Sequence, residues 1–144
     1  MSESLCNDLS RHQRAWTLLR MLLAGLIAAH GLARFGYDGV RPFGQWLSSQ
    51  GWPAGLVIAG GITALEIVGP LLLVLGRWVR PLCGLLAAIY AMGIVLVHAK
   101  AGWFVVGLGR NGSEYSVLLI ACLLLLAWVS PPRTASFSST DPDR

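Results

Sequence analysis

Apolar residues gather along this chain in long blocks divided by short polar stretches. They lack the i, i+3, i+4 spacing of a soluble amphipathic helix. Three blocks, 16–35, 54–75 and 81–98, hold about 18 to 22 residues each, enough to cross a bilayer core of about 30 Å. A fourth, 115–129, reaches spanning length when run from 114 to 130. The pattern predicts an all-α polytopic membrane protein, an antiparallel four-transmembrane-helix bundle over residues 14–130. Residues 1–13 read as a loose N-terminus. Residues 131–144, "PPRTASFSSTDPDR" from 131, read as a disordered tail. The first block reads as a span rather than a cleaved signal, because Arg34 and Phe35 follow it where small residues would be needed.

The loops carry their own pattern. In "RPFGQWLSSQGWP", Phe43, Trp46 and Leu47 share one face of a short helix that Pro42 helps to start. Such a helix would lie in the outer membrane interface, with Trp46 and Trp52 at headgroup level. The Gly-rich loop 99–113 would dip into the membrane surface or cap the bundle, with Ser113 as N-cap of the last helix. Gly25, Ala29 and Ala33 recur at spacing four, as do Gly84 with Ala88 and Ala87 with Ala91. This spacing reads as close helix packing.

Composition sharpens the class. The chain is 55% hydrophobic and 12% charged, about half the charged fraction of a soluble domain. Seven basic residues (Arg11, Arg14, Arg20, Arg77, Arg80, Arg133, Arg144) stand at one set of helix ends, against four (Arg34, Arg41, Lys100, Arg110) at the other. The positive-inside rule then places both termini in the cytoplasm. Basic residues that flank spans form no stripe for nucleic acid. Cys6, Cys83 and Cys122 form no CxxC pair and read as packing residues. Tyr90 likewise reads as a packing residue with a satisfied hydroxyl.

Four ionisable residues fall within or at the ends of the blocks: His30, Glu66, His98 and Glu114. Arg34 lies one turn after His30 on the same face. By helical rise, Glu66 is about 18 Å below the outer surface and His30 about 21 Å along the first span. All four groups then sit in the outer half or at its lower limit, as a polar funnel with Glu66 at its floor. A carboxylate costs too much against lipid to face outward. Pro70 offers no N–H to the Glu66 carbonyl, adding an unpaired acceptor at the same place.

Three stretches resemble the DoxX family: "LLAGLIAAHGLARF" its first helix, "GGITALEIVGPLLLVLGRWVRPLCGLLAAIYAMGIVLVH" its second and third, and "GSEYSVLLIACLLLLAW" its fourth. The matching residues are His30, Gly31, Glu66, His98, Glu114 and Tyr115, and Pro70 stands where relatives often carry Gly. The resemblance implies a four-helix bacterial inner-membrane protein, with some relatives in quinone-linked sulfur oxidation and others beside oxidative-stress proteins. It supplies no catalytic role for the matching residues.

The leading reading is a redox-associated inner-membrane protein, a subunit or accessory of an oxidoreductase system. Its outward pocket would take a quinone-like or other small ligand. Glu66 would accept a proton or hydrogen bond, His30 would bind a ligand oxygen, and Arg34 would hold a negative charge. His98, Glu114 and Tyr115 would complete the binding set. Its partners would be the lipid bilayer and redox proteins or further copies of itself. Three rivals stay open. One is a transition-metal site of His30, Glu66 and His98. A second is a non-catalytic assembly subunit. A third, disfavoured by the small lumen of four short helices, is a transporter.

Overall fold

The computed structural model describes residues 2–106 and 111–131. The disordered tail predicted for 132–144 lies outside them, as does Arg110. Every regular element among the described residues is helical: α1 (Ser2–Gly36), α2 (Val40–Ser49), α3 (Gly55–Val74), α4 (Val79–Gly93), a π-helical turn (Ile94–His98), the short α5 (Ala99–Ala101) and α6 (Glu114–Val129). Three stretches are long and apolar enough to cross a bilayer: Asn7–Gly36, Gly55–Val74 and Val79–Ala101. The fourth apolar helix, α6, has 16 residues. Large apolar side chains such as Leu22, Leu26, Val57, Val68, Leu71 and Leu118 are exposed around the molecule, as a lipid-facing surface requires. The chain is a polytopic helical membrane protein.

One boundary differs from the sequence reading. Residues 2–13 are not loose: α1 runs back to Ser2 without a break. Their polar composition hides a helix whose backbone ladder is propagated from the span that follows. Pro70 lies inside α3, which runs through it to Val74, within the predicted span 54–75.

The helix ends show why the turns are short. Gly76 N–H donates to the Leu73 carbonyl at 3.0 Å and Arg77 N–H to the Leu72 carbonyl at 2.8 Å, with Gly76 at φ +67°. This is a Schellman ending, and glycine accepts its left-handed residue without strain. The same pair of bonds closes α1 around Asp38 and α2 around Gly51. Ser113 does not cap α6 with its side chain; its Oγ donates to the Gly102 carbonyl at 3.3 Å.

Contacts set the arrangement. Arg20 lies against Gly76, Gly31 against Glu66, and Arg34 beside Thr63, so α1 and α3 pack antiparallel. Arg80 reaches Ala127 and His98 reaches Asn111, so α4 and α6 are antiparallel too. These two tight pairs meet each other more loosely. The apolar core fills one end, with Ile27 of α1, Leu73 of α3, Leu86 of α4 and Leu123 of α6 fully buried.

The predicted small-residue stripes do not make these contacts. Gly25, Ala29, Ala33, Gly84, Ala88 and Ala91 are exposed, and Cβ atoms on Gly25 or Gly84 would meet nothing within 4 Å. Only Ala87 of the set is buried. The close approach is at Gly31, where a Cβ would come within 2.9 Å of the Glu66 backbone carbon and Cβ. A second lies between α2 and α3, where a Cβ on Gly44 would stand 2.7 Å from Leu56 Cα.

Candidate functional site

At the end away from the core, the two helix pairs part around a cavity of about 820 Å³. Its floor is a charge pair. Gly31 lets α1 come down onto α3, which brings Arg34, one turn on, over the middle of α3. Arg34 Nη1 donates to Glu66 Oε2 at 2.5 Å and to Thr63 Oγ1 at 3.4 Å. Thr63 Oγ1 in turn donates to the Ala59 carbonyl at 2.7 Å. The Glu66 side chain is 2% exposed and that of Arg34 23%. Arg34 therefore neutralises Glu66, where the sequence reading held it ready for a ligand's charge. A paired carboxylate is the arrangement that lets a charge remain at this depth.

The roof comes from α2. Phe43 and Trp46 stack with ring centroids 6.2 Å apart, and the Arg34 guanidinium carbon sits 4.9 Å from the Phe43 ring centroid. With Trp52 they form an aromatic wall of the cavity. The Phe43, Trp46 and Leu47 face of α2, expected at the outer interface, is turned toward the cavity and α3, with Gly44 and Leu47 buried.

His30 and Tyr115 also line the cavity, with rings 6.1 Å apart and 13° from parallel. His30 Nδ1 lies 3.0 Å from the Leu26 carbonyl, and His98 Nδ1 lies 2.8 Å from the Asn111 carbonyl. A carbonyl only accepts, so each Nδ1 donates, and in the neutral ring Nε2 is left as an acceptor. Tyr90, read as packing with a satisfied hydroxyl, also lines the cavity. Its hydroxyl is buried close to Glu66 without making a well-formed hydrogen bond among the described residues. Tyr90 and His98 are eight residues apart, about 80° out of line on an α-helix. The π-helical turn Ile94–His98 absorbs one residue and brings them toward one face, so both line the cavity.

The structure thus brings together His30, Arg34, Glu66, His98 and Tyr115 around one space. Glu114 is not among its walls. Its Oε1 accepts from Val105 N–H at 3.1 Å and ties down the loop before α6. The metal alternative of His30, Glu66 and His98 does not assemble: among the described residues no three His, Cys, Asp or Glu side chains converge on one point. Glu66 faces Arg34, and His98 is turned to a backbone carbonyl.

Fold and site together define a polytopic helical membrane protein with a charge-paired polar cluster under an aromatic cavity. The chain belongs to the DoxX family, whose model, described as DoxX, matches residues 15–99, more than half of its length. The match runs from α1 to the end of the π-helical turn. No curated protein and no solved structure matches the chain.

Proposed function

We propose that this protein binds the head of a quinone or hydroquinone in its intramembrane cavity and serves a bacterial inner-membrane redox system as an accessory or subunit. The observation that carries the reading is the unpartnered Tyr90 hydroxyl, buried in a largely apolar cavity above a neutralised ion pair. A flat ring suits walls of Phe43, Trp46 and Trp52. Ring oxygens suit the groups around it: Tyr90 donates to a carbonyl, and the Nε2 atoms of His30 and His98 accept from a hydroxyl. Glu66 and Arg34 act as a fixed polar floor, and any proton that leaves a bound hydroxyl passes first to a histidine.

The same proposal includes four spans. The α6 helix is about 24 Å long by its rise, short of the full core, but together with the loop before it follows α4 and the π-helical turn from Arg80 to His98. With both termini in the cytoplasm, the cavity opens outward under α2, which lies at the outer interface with its aromatic face inward. A reporter fused after Arg144 is expected to be active only in the cytoplasm; activity in the periplasm overturns the orientation.

The binding test is direct. Protein purified in mild detergent is extracted with organic solvent, and the extract is assayed by mass spectrometry for isoprenoid quinone. A short-chain quinone is then titrated against the fluorescence of Trp46 and Trp52. Quinone in the extract and saturable quenching are expected. Tyr90→Phe should weaken binding about ten-fold, the worth of one buried hydrogen bond, with thermal stability held within about 1 kcal/mol. No quinone and no saturable quenching would end the quinone reading.

A further inference from the structure

The end of the bundle opposite the cavity carries a group of arginines that no acidic side chain meets among the described residues. Arg20, in α1, lies over the turn between α3 and α4: a Cβ on Gly76 would meet Arg20 Nη1 at 3.1 Å. The Arg20 Nε is buried and has no hydrogen-bond partner among the described residues. Arg77 follows Gly76 in the turn and is exposed. Arg80, the second residue of α4, spends its Nε on the Ala127 carbonyl at 3.1 Å, which closes the end of α6. Its two terminal nitrogens stay available.

Among the described residues the single ion pair is Arg34–Glu66, near the other end. The acid nearest to Arg20 along α1 whose side chain is described is Asp8, twelve residues earlier and about 18 Å away by helical rise. Exposed Leu75 and Trp78 flank the turn, and Trp16 precedes Arg20 by one turn of α1. Arginines at an apolar boundary, beside tryptophans that prefer the headgroup layer, form the chemistry of a phosphate site at a membrane surface.

From this we infer a second binding site, formed by Arg20, Arg77 and Arg80, that takes the phosphate of an anionic phospholipid headgroup. The acyl chains lie along the apolar surface beside Leu75. The guanidinium of Arg20, held against Gly76, and those of Arg77 and Arg80 supply the charge and the N–H donors. The site is independent of the cavity and of what the cavity holds.

The test uses full-length protein and native mass spectrometry in detergent with phosphatidylglycerol or phosphatidylcholine added. Selective retention of phosphatidylglycerol is expected. Arg20→Gln and Arg77→Gln should each weaken it about five-fold, the effect of one basic residue at an anionic surface. Arg11→Gln, exposed further back on α1, should leave it unchanged. A second arm adds inorganic phosphate without lipid; Arg20-dependent phosphate retention would support the same site with a free anion as its source. Equal retention of the two lipids overturns the proposal. So does unchanged phosphatidylglycerol retention in Arg77→Gln, whose exposed side chain bears no weight in the fold.

Discussion

The two ends of this bundle solve opposite problems with the same four apolar helices. At one end Ile27, Leu73, Leu86 and Leu123 meet and exclude everything else. At the other, α2 is inserted between the helix ends, and the pairs separate around a cavity walled by rings and polar groups. Lipid is as apolar as leucine, so the packed end is held by close van der Waals contact rather than by escape from water. The open end lacks that contact and is held by directional bonds: Arg34 to Glu66, His98 to Asn111, and Glu114 to the backbone of Val105. Polar bonds in a low-dielectric site fix geometry while leaving space, and space is what a ligand needs.

The largest effect should come from halving the charge pair. Arg34→Leu leaves Glu66 buried without a counter-charge, at a cost of about 3–5 kcal/mol. The double variant Arg34→Leu, Glu66→Leu should recover most of that loss, because it removes both desolvation penalties. Unfolding in mild detergent measures both. A double variant as unstable as the single one would show that the pair is held by something other than mutual neutralisation.

Next is the packed end. Leu123→Ala removes a fully buried side chain at the meeting point of the helices and should cost about 2–4 kcal/mol. It should leave quinone quenching at Trp46 and Trp52 unchanged, since Leu123 belongs to the core and not to the cavity. A loss of binding at unchanged stability would mean that the two ends are coupled.

The comparison also explains what could be read before the structure. The long apolar helices were legible because hydropathy over some twenty residues is a local property. So was the depth of His30, Glu66 and His98, since helix ends and rise place residues along a span; Glu114, the fourth of that set, lies outside the cavity walls. What was not legible depends on partners across helices. Arg34 was read as serving a ligand, because nothing in the chain reveals that it meets Glu66 thirty-two positions later. Tyr90 was read as satisfied, because whether a hydroxyl finds an acceptor is decided by tertiary packing. The π-helical turn that aligns it with His98 has no sequence signature here. Loop aromatics pointed to an interface, and which side of α2 they cover was set by its contact with α3 through Gly44.

The smallest predicted effects lie on one helix and separate contact from composition. Gly25 and Gly31 both sit in α1, six residues apart, and a spacing rule treats Gly25 as the contact residue. The structure assigns the roles the other way. A methyl group on Gly31 would overlap the Glu66 backbone and Cβ, both part of α3 and unable to swing aside. Gly31→Ala should therefore push α1 from α3, lengthen the Arg34–Glu66 bond and cost about 1–3 kcal/mol. Gly25→Ala adds a methyl group to a surface with nothing within 4 Å, so it should change stability by less than about 1 kcal/mol. If anything it should be stabilising, because alanine loses less backbone freedom than glycine on forming a helix. Melting temperatures of the two variants in one detergent settle the order. A clear loss in Gly25→Ala would mean that this face meets a partner outside the chain, and the spacing rule would regain its meaning as an interface between copies.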